Sequence, residues 1–208
     1  MEAIPFWVGI VVLVVLMAIV STIELLRYGR QASRWQEYSF VLVLGMIAGL
    51  IGLANDLITA WLSPHYFIFG KGLPAENLRQ HAATLGFQAG FTAGAVAAAV
   101  CLYINTRKSN VPPLSFLKIM ALIWHPLVLA VTGAFLLPLF FSRLDPLGLT
   151  PQLKGLLTSS QIAGFILVWW IHLGLYLGLI VGVIWMLVGI VQRRRSVLYT
   201  ETGDGDSR

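Results

Sequence analysis

Asp56 is the first residue that suggests chemistry, because it is a carboxylate within a long apolar stretch of this 208-residue chain. On a helix, Asp56 falls within about 80° of Gly45, Gly49, Gly52 and Thr59. It therefore continues a small-residue face that packs against other helices. An ionisable side chain inside a membrane costs about 2.5–3.5 kcal/mol and by default marks a functional site. The structural alternative is a bond to a neighbouring backbone or an ion pair with a basic residue of a nearby connection.

A polar stripe on the third apolar segment adds donors and acceptors. His81, Thr84, Gln88 and Thr92 share one face, opposite Gly86. Such a stripe suits a water-filled or solute-binding cavity, and it suits hydrogen bonds between helices equally well. Together with polar residues of the second segment and of the connection after it, the stripe predicts an outward-facing cavity for a small solute or ion. The residues predicted to line this cavity are Asn55, Asp56, Thr59, His65, Lys71, His81, Gln88 and Thr92.

Two histidines lie inside the fourth and fifth apolar segments. These segments run in opposite directions, so both His125 and His172 are expected near the bilayer centre. A facing pair of imidazoles would ligate haem b iron or a copper ion, or hold a quinone ring. Trp169 and Tyr176 share the face of His172 and would suit a flat ligand. The commoner alternative is that each histidine hydrogen-bonds to a neighbouring helix, so a redox site remains a hypothesis.

The elements that must position these residues are long apolar helices. The chain is 58% hydrophobic and 11% charged, whereas soluble domains carry about 25% charged residues. About 20 apolar residues suffice to span a bilayer. We predict an all-α integral membrane protein, with a single transmembrane domain over 1–199 and a disordered tail over 200–208. Its five predicted transmembrane helices cover residues 4–26, 40–62, 82–104, 116–141 and 162–191.

The basic residues predict the orientation of these helices. Ten of the 14 Lys and Arg residues lie in the first and third connections and the C-terminal region, and four lie in the second and fourth connections. Cytoplasmic flanks are the more basic ones, so the N-terminus is predicted outside and the C-terminus in the cytoplasm. The net charge of +5 follows from this topology and does not indicate nucleic-acid binding.

Three segments carry small residues four positions apart. In lipid, helices associate where small residues allow close backbone approach. These faces predict helix–helix seams, either within one chain, in a homo-oligomer or in a larger membrane complex. The predicted packing residues are Gly45, Gly49, Gly52, Gly86, Gly90, Gly94, Gly174, Gly178 and Gly182.

The end of the second segment resembles a signature of small bacterial membrane proteins without an assigned biochemical function. The residues from Asn55 to Phe67, followed by Lys71, resemble the pattern D-Q-x-T-x-x-x-S-P-E-Y-F, with Leu57 in place of Gln and His65 in place of Glu. The resemblance implies that this helix end and the loop after it behave as one unit. It also implies a multi-pass protein of the bacterial cytoplasmic membrane.

Catalysis is the least favoured function. The sequence has no phosphate-cradling glycine loop, H-E-x-x-H zinc motif or G-x-S-x-G nucleophile elbow, and it has one cysteine, Cys101. The favoured function is a small-solute or ion binding or transport module. The alternatives are an accessory subunit of a larger membrane complex and a haem- or metal-binding redox protein.

Overall fold

The computed structural model describes residues 6–29, 32, 34–107, 111–145 and 147–203, with the side chains of 197–203 excepted. The described residues are mostly helical and include no β-strand. A π-helix, Tyr66–Gly70, lies between the second and third α-helices. The α-helices are α1 Phe6–Tyr28, α2 Arg34–Leu62, α3 Leu78–Thr106, α4 Phe116–Met120, α5 Trp124–Phe141, α6 Leu149–Leu153 and α7 Ser159–Gly203.

Five of these helical stretches are long and apolar enough to cross a membrane, as the sequence predicted. The fourth stretch, Phe116–Phe141, is divided at residues 121–123 into α4 and α5. Proline has no amide hydrogen, so Pro126 cannot bond the carbonyl four residues earlier, at Leu122. That carbonyl oxygen instead accepts a hydrogen bond from the backbone amide of His125 at 3.2 Å, and Nδ1 of the same residue lies 3.0 Å from it.

The long helices associate as two pairs, each closed by a glycine seam. In the α2–α3 pair, a Cβ added to Gly52 would collide with the backbone of Gly86, and one added to Gly90 with that of Ala48. The α5–α7 pair is built in the same way. The predicted packing residues Gly174, Gly178 and Gly182 lie against Gly133, Leu129 and Pro126 respectively. Contact between the two pairs is much less extensive than contact within either pair.

Helix α1 stands apart from both pairs. None of its residues is buried, and Val11 and Leu16 are more than half exposed. Its one described ring contact is an edge-on approach of Phe6 to Phe91 of α3, with centroids 6.1 Å apart. The α1 helix therefore contributes little to the core of the described bundle.

Helix α7 is longer than predicted. It continues to Gly203, so residues 200–203 extend the helix, although the sequence predicted a disordered tail from 200. No proline interrupts this stretch, and its side chains are mostly compatible with helix. Residues 204–208 lie outside the described residues.

At the end of the bundle opposite the π-helix, Arg194 of α7 hydrogen-bonds to the backbone at the end of α3 and between α3 and α4. Arg194 is 5% exposed, and its guanidinium donates hydrogen bonds to the carbonyls of Ile104, at 2.7 Å, and Val111, at 2.6 Å. Asn105 adds a reciprocal pair of bonds to the backbone of Leu114. These contacts fix the segment between α3 and α4 against the end of α7.

Candidate functional site

The two helix pairs are joined by a buried contact between a carboxylate and an imidazole. Asp56 of α2 and His172 of α7 meet with Oδ1 and Nε2 2.9 Å apart. Asp56 is 6% exposed and His172 is 2% exposed. Since 116 residues separate them in sequence, this contact links the two pairs directly in the interior of the bundle.

The α2–α3 seam determines the position of Asp56. A Cβ added to Gly86 would lie 2.8 Å from both Cβ and Cγ of Asp56, so the carboxylate fits only because α3 has a glycine there. Asn55 donates from Nδ2 to Asp56 Oδ1 at 3.1 Å. Thr59, a predicted cavity residue, donates its hydroxyl to the Asn55 carbonyl at 2.7 Å and acts within its own helix.

The hydrogen bonds of His172 determine where its protons lie. Nδ1 is 2.9 Å from the carbonyl oxygen of Val168, and a carbonyl can only accept, so Nδ1 carries a hydrogen. The Nε2–Oδ1 contact to Asp56 then needs one further proton, carried either by the imidazole or by the carboxyl group. Both arrangements leave the pair neutral overall. Losing that proton would leave an uncompensated buried negative charge, which a low-dielectric interior disfavours.

Aromatic rings surround the imidazole on the side of the π-helix. Tyr66 stacks on His172 with centroids 4.8 Å apart, and Phe67 approaches edge-on at 5.9 Å. Lys71 places Nζ 5.7 Å from the centroid of the Tyr66 ring. Burial raises the pKa of Tyr66, and the charges of Tyr176 and Asp56 raise it further. Tyr66 is therefore a neutral phenol that covers the pair.

A small cavity adjoins Asp56. Its volume is about 60 Å³, and its lining includes Asp56, Tyr176, Gly86 and Gly90 with aliphatic side chains from α5 and α7. Tyr176 lies one helical turn after His172, with ring centroids 6.2 Å apart. Apart from the carboxyl group and the phenol, the cavity lining is almost entirely apolar.

The other residues predicted to line the cavity do not come together around Asp56. The structure therefore corrects the prediction of an outward-facing polar cavity. His81 is exposed, and the Thr92 hydroxyl donates to the Gln88 carbonyl at 2.8 Å within α3. Gln88 and Thr92 line a separate apolar groove between α3 and α7. The reason is that α3 turns its glycine face towards α2, which directs the opposite stripe away. His65 stacks on Phe69 at 6.4 Å.

The two histidines predicted to face one ligand are also apart. Gly182 of α7 packs against the backbone of Pro126 and His125, ten residues beyond His172, or roughly 15 Å along the helix. His125 stacks between Trp124, at 4.1 Å, and Trp185, at 6.2 Å. The pairing of His125 with His172 around haem or copper is therefore not formed. Among the described residues, no group of three or more His, Cys, Asp or Glu side chains could hold a metal ion.

His172 was predicted as a haem or metal ligand, and two further site residues, Tyr66 and Tyr176, were not among the predicted cavity residues. Tyr176 follows His172 by four positions, a spacing that places side chains on the same helix face. Tyr66 entered the sequence analysis only as part of the segment 55–67 that resembles the membrane-protein signature. The spacing of Tyr176 was a usable signal, but the return of Tyr66 over the imidazole depends on the π-helix.

Comparisons with protein-family models, with curated proteins and with solved structures found no match for this chain. The resemblance of residues 55–67 to a bacterial membrane signature therefore stays a prediction.

Proposed function

We propose that this protein is a multi-pass membrane module that binds or transports a small cation, with the Asp56–His172 pair as its binding site. The proposed orientation has the N-terminus outside and the C-terminus in the cytoplasm, in a bacterial cytoplasmic membrane. This places the π-helix and the nearby Asp56–His172 pair towards the outer side. The observation that carries the proposal is the burial of this carboxylate–imidazole pair between two helix pairs.

A purely structural role explains the Asp56–His172 pair less well. Replacing a buried ion pair by apolar residues of similar volume is often neutral or stabilising, and glycine seams already hold each helix pair together. Intramembrane ionisable residues mark ion pathways and proton relays. The titratable groups facing the pair are Tyr66, in front of Lys71, and Tyr176. From α3 and α5, the described residues that line its cavity contribute no titratable group.

Ion flux in proteoliposomes tests this proposal, with protons and Na⁺ as separate probes. Asp56→Asn keeps the size of the side chain but removes its charge, and we expect it to abolish flux of the transported cation. Asp145→Asn is the matched control, because the Asp145 carboxylate accepts its side-chain hydrogen bonds from the amides of Leu149 and Thr150 at the start of α6. Folding of each variant is checked by monodispersity in detergent. Wild-type flux that persists in folded Asp56→Asn, or no wild-type flux of either ion, would contradict the proposal.

An accessory subunit of a larger complex is the second candidate, and α1 is the observation that favours it. This apolar helix has no buried residue, so most of its surface is available to another membrane protein. Purification in mild detergent with stoichiometric recovery of a partner would support this role. The whole protein and a variant without α1 are purified in parallel. If both are recovered alone, without a partner, the accessory role is rejected.

A further inference from the structure

The cavity beside Asp56 is the feature that specifies which cation the proposed site takes. Both donors that reach the carboxyl group, Nε2 of His172 and Nδ2 of Asn55, approach the same oxygen, Oδ1. Among the described residues, no hydrogen bond reaches Oδ2. Asp56 also lines the cavity of about 60 Å³, and a carboxylate oxygen there requires a donor from within it.

The size of the cavity limits what can supply that donor. A water molecule needs roughly 10–15 Å³ of such space and two to four polar partners. The cavity therefore has room for a few water molecules. Asp56 and the Tyr176 phenol provide polar partners at its wall, and neighbouring water molecules provide the others.

The chemistry of the lining argues against a metal cation. Hard cations such as Ca²⁺ and Mg²⁺ take about six or more oxygen ligands. Asp56 and Tyr176 offer two side chains, and the backbone of the glycine seam is engaged in helices α2 and α3. A proton needs only one acceptor and a hydrogen-bonded water molecule.

We propose that this cavity holds water through which the Asp56–His172 pair takes up and releases a proton, so that the cation is H⁺. This inference rests on the proposed function and names its substrate. In the release step, the carboxyl group takes the proton shared by Nε2 and Oδ1, turns about its Cβ–Cγ bond and gives the proton to a water molecule in the cavity. Hydronium leaves, and Asp56 remains as a carboxylate. In the uptake step, hydronium returns the proton to the carboxylate. The titratable neighbours are Tyr66 and Tyr176, with Lys71 behind Tyr66.

The small side chain of Ala93 offers a way to fill the cavity. Ala93 of α3 lines both the cavity and the adjoining groove between α3 and α7, whereas Ala97, one turn further, lines only the groove. Both alanines are half-buried, so Ala97→Leu is a matched control for Ala93→Leu. We expect Ala93→Leu to lose proton flux, Ala97→Leu to retain it, and wild type to pass no Na⁺.

The outcomes separate this inference from the proposed function. If Asp56→Asn loses flux but folded Ala93→Leu retains wild-type proton flux, the water cavity is refuted and the binding site stands. Sodium flux that depends on Asp56 has the same consequence. If Ala93→Leu does not fold, infrared difference spectra of wild type in H₂¹⁶O and H₂¹⁸O decide. An ¹⁸O-sensitive water band that Asp56→Asn removes supports the inference, and the absence of such a band in wild type overturns it.

Discussion

The α2–α3 and α5–α7 pairs use the same glycine packing but place their polar residue differently. In the α2–α3 pair, Asp56 lies within the seam, where Gly86 leaves room for its carboxyl group. In the α5–α7 pair, the seam around Gly133 and Gly174 is apolar, and His172 points out of it towards Asp56. One pair thus has a seam that also positions a site, and the other has a seam that serves packing alone.

The largest effect should come from removing one partner of the bridge between these pairs. His172→Leu leaves Asp56 buried without its imidazole, and we expect a loss of about 3–5 kcal/mol in the free energy of unfolding. The double variant with Asp56→Leu should recover most of that loss, because no buried charge remains. Unfolding in mixed micelles measures both. A single variant as stable as wild type would show that the two pairs are not joined by this contact.

Adding a methyl group to each seam distinguishes the role of the seam in packing from its role in positioning the site. Gly86→Ala collides with the backbone carbonyl of Gly52 and also with Cβ and Cγ of Asp56, whereas Gly133→Ala collides with backbone atoms alone, chiefly those of Gly174. Overpacking a tight contact costs about 1–3 kcal/mol, so both variants should lower the melting temperature. Only Gly86→Ala should also change ion flux in proteoliposomes. Equal flux in the two variants would mean that the α2–α3 seam does not position the site.

A smaller effect is expected at the opposite end of the bundle, where Arg194 bonds the carbonyls of Ile104 and Val111. Arg194→Met keeps much of the side-chain volume but leaves these buried acceptors without their donor, which costs about 1–3 kcal/mol. Thermal unfolding should register this loss while the flux per folded molecule stays unchanged. A loss of flux without a loss of stability would place Arg194 in the ion pathway.

The smallest effect concerns Asp145, which accepts hydrogen bonds from the amides of Leu149 and Thr150 at the start of α6. Hydrogen bonds from Thr150 and Leu149 lower the pKa of Asp145, although partial desolvation opposes them. A depressed pKa stabilises the folded cap above the ordinary aspartate range, and this stabilisation is lost as pH falls through the folded value. Hydrogen exchange of 149–153 should be faster in Asp145→Asn at neutral pH. The difference should vanish in acid, and a difference that persists there would contradict the assignment.

The sequence determined the helices better than it determined the site. Length and hydropathy are local properties, so the five long apolar stretches were predictable, and the end of α2 at Leu62 matches its predicted bound. The division of the fourth stretch depends on Pro126, for which the sequence supplied the chemistry but not the position of the break.

The site was harder because it depends on which helix faces meet. The glycine face of α2 indicated that Asp56 points inward, and the structure buries it. The partner of Asp56 could not be predicted in the same way, because its contact with His172 depends on how the two helix pairs pack against each other. The stripe of Gln88 and Thr92 was assigned to the cavity because its spacing is helical, but spacing alone cannot tell which neighbour a face meets.

The protonation state of His172 tests the central claim most directly. In protein labelled with ¹⁵N-histidine, His172→Gln identifies the resonances of this residue among those of His65, His81 and His125. We predict that Nδ1 carries a hydrogen, as its bond to the Val168 carbonyl requires, and that the Nε2 signal of a hydrogen-bonded, shared proton changes in Asp56→Asn. An unprotonated Nδ1, or an Nε2 signal that is identical in wild type and Asp56→Asn, would contradict the shared proton and the ion-binding role built on it.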